Sequence, residues 1–123
     1  MGSYLFQVTY TSESWATQVS QQANVVDRIT PLVDKCGGSI TSCFYTLGDY
    51  DLIVLADFPT AEAAAAFSMG ATAGGATKTI KTTELLSVDQ GISAMRTAAE
   101  ARTVYLPPLQ DPVAAQRQQS VRT

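Results

Sequence analysis

Two carboxylates flanking a phenol, Asp49-Tyr50-Asp51, with a second phenol at Tyr45, have the residue types and spacing that suit proton transfer in this 123-residue chain. A carboxylate whose pKa is raised beside a phenol can pass a proton to a substrate. The same corner can hold a cation. The competing reading is structural: Asp side chains in a turn bond nearby backbone N–H groups, and Tyr50 plugs the end of the fold. Turn composition favours that second reading. Residues i and i+2 share a face only in a strand, so a turn need not bring both carboxylates together. Asp49, Tyr50 and Tyr45 are therefore candidate catalytic residues on the condition that a cavity lies beside them.

Much other chemistry is excluded by composition. With no histidine, imidazole metal sites, histidine-ligated haem and imidazole bases are absent, and neither a metal nor a cofactor is expected. The net charge of −3, without a cluster of Lys and Arg on one face, argues against nucleic acid. No apolar run approaches the roughly 20 residues of a membrane span. The N-terminal MGSYLFQVTY has no basic region before an apolar core, so the cytoplasm is the expected location. The glycines of GATAGG, at Gly70 to Gly75, follow neither phosphate-loop spacing and lead into a strand, so a plain turn is expected. Cys36 and Cys43 sit seven apart, one ending a helix and one in mid-strand. The strand carries them apart at about 3.3 Å per residue, and two free thiols are expected.

The elements that must position the turn are legible from periodicity. Tyr4, Phe6, Val8 and Tyr10 alternate with Leu5, Gln7 and Thr9 as a first strand. A short polar helix follows, from about Trp15 to Gln21, capped by Ser12 or Ser14. Val25, Val26, Ile29, Leu32, Val33 and Cys36 form one helical stripe behind the cap Asn24, with Asp27, Arg28, Asp34 and Lys35 facing away. Pro31 predicts a kink, or a restart near Thr30, and Gly37-Gly38 a stop. Strands over Ser39–Leu47 and Asp51–Phe58 flank the turn, with Gly48 free to take a positive φ. The second of these strands is apolar on both faces and needs a cover for each. An Ala-rich helix from Ala61 to about Met69, a strand from Thr77 to Leu86 and a helix from Val88 to Ala101 capped by Ser87 complete the pattern.

The order β-α-β-β-α-β with an added C-terminal helix predicts an α+β, ferredoxin-like fold: a four-stranded antiparallel sheet with helices on one face. Residues 1–102 form the domain. Residues 103–123 form an extended tail, polar beyond Asp111, expected to dock on a neighbouring subunit. Only 15% of residues are charged, against about 25% in ordinary soluble proteins, and the second sheet face is partly apolar. Both features predict a homo-oligomer, with two sheets pairing as a dimeric α+β barrel. Tyr10, Trp15, Phe44, Tyr45, Phe58 and Phe67 come from elements around the space between sheet and helices. Most of them are expected to be core.

The run YTLGDYDLIVLADFPTAEAAAAF, Tyr45 to Phe67, resembles the signature of the GYD-domain family, in which a Gly-acidic-Tyr-Asp or Gly-Tyr-Asp turn joins two strands. Tyr10-Thr11 after the first strand, the Gly37-Gly38 stop and the Gly-rich segment before the last strand are also similar, so that the resemblance covers about residues 4 to 88. It implies a dimeric α+β barrel subunit and brings no reaction with it. The chain departs from the family where Ala76-Thr77-Lys78-Thr79 stands for Asn-Val-Arg-Thr, so any role of that arginine passes to Lys78 or is lost. Val19-Ser20-Gln21-Gln22 also stands where many members carry a Lys-rich segment.

Two functions follow as expectations. One is a binder, or a cofactor-independent converter, of a small, mostly apolar molecule held between sheet and helices, with Tyr10, Trp15, Phe44 and Lys78 as ligand contacts. The other is an assembly subunit without catalytic activity.

Overall fold

A computed structural model describes residues 1–108. It divides into two compact units, Met1–Leu86 and a second that begins at Ser87. In the first unit the order is β1 (Gly2–Tyr10), α1 (Ser12–Gln21), α2 (Val25–Lys35), β2 (Ser39–Tyr45), β3 (Leu52–Phe58), α3 (Ala61–Ala73) and β4 (Thr77–Leu85). The four strands form one sheet in the order β2-β3-β1-β4, antiparallel at every pairing. Because β3 lies between β1 and β2, each βαβ unit is split by a strand of the other, the ferredoxin-like arrangement.

Alternation sorts the sheet into two faces. On one, Tyr4, Phe6, Val8 and Tyr10 of β1 and Leu52, Val54, Ala56 and Phe58 of β3 are all buried. The helices α2, over β2, and α3, over β4, cover that face and touch each other. Phe6, Phe58 and Phe67 fill its centre with ring centroids 4.9 to 5.8 Å apart, spacings at which aromatic pairs attract beyond simple burial. The opposite face carries Leu5 paired with Leu55 and Gln7 with Ile53.

One irregularity changes which side chains face the helices. The pairing of β2 with β3 shifts between Ile40, opposite Ala56, and Ser42, opposite Leu55. A bulge inserts one residue and reverses the phase of those that follow. Cys43 and Tyr45 thereby join Ile40 on the helix side, opposite Val54 and Leu52, while Phe44 falls opposite Ile53 on the other face. The expectation that Phe44 borders the space between sheet and helices is corrected by this shift.

Helix ends follow the local chemistry, with three differences from the sequence reading. The cap of α1 is Thr11, whose hydroxyl accepts from Ser14 N, in place of Ser12 or Ser14. The helix α2 runs unbroken through Pro31 and so does not restart near Thr30; Asp27, whose carbonyl loses its donor to the proline ring, is exposed. It ends at Gly37, φ +77°. There Gly37 N donates to Asp34 O and Gly38 N to Val33 O, the paired bonds of a Schellman stop. Third, α3 continues to Ala73, so Gly70 is helical and the glycine segment is shorter than expected. A Cβ at Gly70 would lie 3.2 Å from Leu32 Cδ1, so the missing side chain lets α3 approach α2.

The second unit holds α4 (Val88–Ala101), with Ser87 and Gln90 forming a capping box. None of its residues is buried. A 3-10 turn, Arg102–Val104, stands where an extended segment is expected from Thr103. The rest of the tail, residues 109–123, lies outside the described residues. Among the described residues no helix is long and apolar enough to cross a membrane, and Cys36 and Cys43 are free thiols.

Candidate small-molecule site

The helix layer does not close fully over the sheet. A cavity of about 290 Å³ lies between them. Its walls are apolar: Val8, Leu52 and Val54 from the sheet, Ile29 and Leu32 from α2, and Phe67 and Ala71 from α3, with Ile80 at the β4 side. The small residues of late α3 leave the space that larger side chains would fill. Among the described residues, Tyr10, Arg28 and Thr77 are the ones with polar side chains in its walls. A cleft of about 300 Å³ shares Arg28, Gly74 and Ala76 with the cavity, and most of its other wall residues have polar side chains, Glu13, Ser14, Thr17, Gln18 and Gln21 among them.

The polar groups are held from several elements. Tyr10 ends β1, its ring buried and edge-on to Trp15 at 5.4 Å. Trp15 in turn leans on Tyr45 at 6.1 Å, so three rings from β1, α1 and β2 stack along this side of the sheet. Arg28 Nη2 donates to Tyr10 Oη at 3.4 Å and to Gln18 Oε1 at 3.1 Å. Gln18 is steadied by its own bond to Ser14 Oγ, one helical turn back. Burial pushes the Tyr10 phenol above its ordinary range, and the Arg28 guanidinium draws it part of the way back. At neutral pH Tyr10 is therefore an O–H donor. Thr77 sits opposite Tyr10 in the β1/β4 pairing; its hydroxyl oxygen is buried and has no hydrogen-bond partner among the described residues.

The Asp49-Tyr50-Asp51 turn serves the site at one remove. Asp51 Oδ2 accepts from Tyr10 N at 2.8 Å, Asp51 N donates to Val8 O, and Thr46 N donates to Asp51 O. Thr46 Oγ1 also donates to Tyr50 O. With Gly48 at φ +115°, these bonds tie the hairpin to the end of β1. Asp51 thus bonds backbone, as the structural reading of the turn requires. Asp49 is exposed and Tyr50 half-buried, and neither lines the cavity.

The candidate residues from sequence therefore separate. Tyr10 lines the cavity; Trp15 and Tyr45 buttress it; Asp49, Tyr50 and Phe44 lie elsewhere. Lys78 is exposed at the point where the β1/β4 register shifts, outside the cavity walls. The sequence reading missed Arg28, Gln18 and Thr77. For Arg28 a signal existed: it stands three residues after Val25 and four before Leu32, spacings that place it on the edge of the apolar stripe.

A four-stranded antiparallel sheet roofed on one face by helices, with an apolar cavity between the layers, defines a small α+β domain of ferredoxin-like type. Within that class the chain belongs to the GYD domain family, whose model matches residues 4–95. Among solved structures it is similar to MtbAldR, with 14% identity and a TM-score of 0.55, over 70% of this chain and 52% of that one. The chain thus spans about half the length of that protein. It is also similar to FFRP-DM1, with 13% identity and a TM-score of 0.51, over 70% of this chain and all of that one. At such identities the likeness shows the fold alone. No curated protein matches the chain.

Proposed function

We propose that this GYD-domain chain binds a small, mostly apolar molecule in the cavity beneath α2 and α3, and does so as a homo-oligomer. The cavity carries the reading. An apolar chamber with a few polar groups is the common construction of a small-molecule site. The volume of about 290 Å³ stands near the roughly 300 Å³ lower bound of such sites. The groups in the cavity position and bind; a proton-transfer pair of carboxylate and phenol is not among its walls, so binding is favoured over conversion.

The oligomer reading draws on two surfaces described separately. The second face of the sheet presents Leu5, Leu55 and Ile53 in register beside an exposed Phe44. The helix α4 presents exposed Val88 and Met95. A second copy, with the tail from residue 103 docked on its neighbour, would remove such groups from water. Two unbridged thiols suit a reducing compartment, in keeping with the cytoplasm.

Native mass spectrometry of the purified protein tests both parts at once. The expected spectrum shows a dimer or larger species that sheds a small molecule on denaturation. A bare monomer overturns the proposal, and an oligomer that neither retains nor accepts small molecules favours an assembly subunit.

A further inference from the structure

From the arrangement at the mouth of the cavity we infer that the ligand is a small apolar acid carrying a single carboxylate, received by Arg28 and Tyr10. The inference rests on the binding reading above and adds the chemistry of the ligand's head. Both side chains can offer protons. Of the five N–H donors of a guanidinium, Arg28 commits those of one nitrogen, Nη2, to the neutral oxygens of Tyr10 and Gln18. Since Tyr10 Oη accepts from Arg28, its own proton is left to donate, and burial keeps the phenol protonated.

An acceptor-only head with two oxygens matches this set of donors, and a carboxylate is the compact group that supplies it. An ammonium would find a cation and spare donors. An alcohol would use one of them. Among the described residues Arg28 is the only charged one in the cavity wall, and Glu13 lies in the adjoining cleft, so a second negative charge on the ligand would meet an acid or apolar walls. The remainder of the ligand is apolar and short. At the ~30 Å³ that a water molecule occupies in the liquid, the cavity holds on the order of ten non-hydrogen atoms.

The test uses hexanoate, 1-hexanol and adipate as probes, titrated into the ¹⁵N-labelled full chain and followed by amide chemical shifts at Ile29, Ala71 and Thr77. Hexanoate is expected to bind about tenfold or more tightly than 1-hexanol, the ratio that one charged hydrogen-bonded contact supplies, and adipate more weakly than hexanoate. In Arg28→Met that preference for hexanoate over 1-hexanol disappears. Tyr10→Phe, which keeps the buried ring, weakens hexanoate several-fold and narrows its advantage over 1-hexanol. Equal binding of hexanoate and 1-hexanol, or hexanoate binding unaffected in Arg28→Met, overturns the assignment of the acid while the cavity reading stands. Adipate binding as tightly as hexanoate overturns the single charge. If neither hexanoate nor 1-hexanol shifts the cavity amides, the binding reading itself falls, and the inference with it.

Discussion

Replacing Asp51 by alanine separates a hairpin brace from a catalytic corner. In the structure the Asp51 carboxylate accepts from Tyr10 N at 2.8 Å in a part-buried setting, while the backbone bonds of Asp51 to Val8 and Thr46 do not depend on its side chain. The loss is therefore one charge-assisted hydrogen bond, with an amide left facing a truncated neighbour. Such bonds contribute about 1.5–3 kcal/mol, and partial solvent access at the hairpin places the expected cost near the lower end, about 2 kcal/mol. For a domain of this size that is on the order of 5–10 °C in midpoint temperature. Asp51→Asn keeps an acceptor oxygen at the same place and should recover about half of the loss, since a neutral acceptor is roughly half as strong. Asp49→Ala, at an exposed position, should change stability by less than about 0.5 kcal/mol. Urea unfolding followed by Trp15 fluorescence reads all three as shifts in midpoint at constant slope. The reasoning is refuted if Asp51→Ala unfolds with the wild type, or if Asp49→Ala costs as much as Asp51→Ala.

Three other outcomes follow from the packing and the polar groups. Thr77→Val exchanges an unpartnered buried hydroxyl for a methyl of the same shape and should raise the stability of the ligand-free protein by about 1 kcal/mol; a loss of stability in the same urea assay would show that the hydroxyl is already satisfied. At Gly38 an added Cβ would lie 2.6 Å from the Phe58 ring and 2.7 Å from Asp57 O. Gly38→Ala should therefore cost about 1–3 kcal/mol through overpacking, and a thermal midpoint equal to wild type would contradict the close approach. Because burial raises the Tyr10 pKa in the folded chain, the unfolded chain loses that proton first. Stability is then independent of Tyr10 below its ordinary pKa of about 10 and falls above it as pH rises through the folded value. Tyr10→Phe should flatten the alkaline decline, and identical pH profiles for the two proteins would refute the assignment.

How much of this was legible in the chain depends on what sets each feature. Strand β1, the helix stripe behind Asn24, the Ser87 cap and the Gly37-Gly38 stop are local patterns, and the structure places all of them as the residues predict. The sheet order follows from the same order of elements. Features that depend on a partner distant in sequence were less visible. The bulge after Ile40 leaves no residue signature, yet it decides that Phe44 leaves the helix face and Tyr45 joins it. The length of α3 was misjudged because Gly70 reads as a helix end by propensity, whereas its role is to admit Leu32 of α2.

The family motif is the clearest case of a correct signal with a different physical meaning. Its acids and phenol attract a catalytic reading because they are adjacent in sequence. In the fold the Asp51 carboxylate points to a main-chain amide, and that amide belongs to Tyr10. Tyr10 in turn meets Arg28 and Trp15, and these lead to Gln18 and Tyr45. The motif therefore holds the end of β1 against the hairpin, and the end of β1 presents a phenol to the cavity. If this chain of contacts is the reason for the motif, Asp51→Ala should weaken hexanoate binding as well as stability, whereas Asp51→Asn should recover about half of both together. Restoration of stability without affinity would detach the motif from the site, because the two effects share only the Tyr10 backbone.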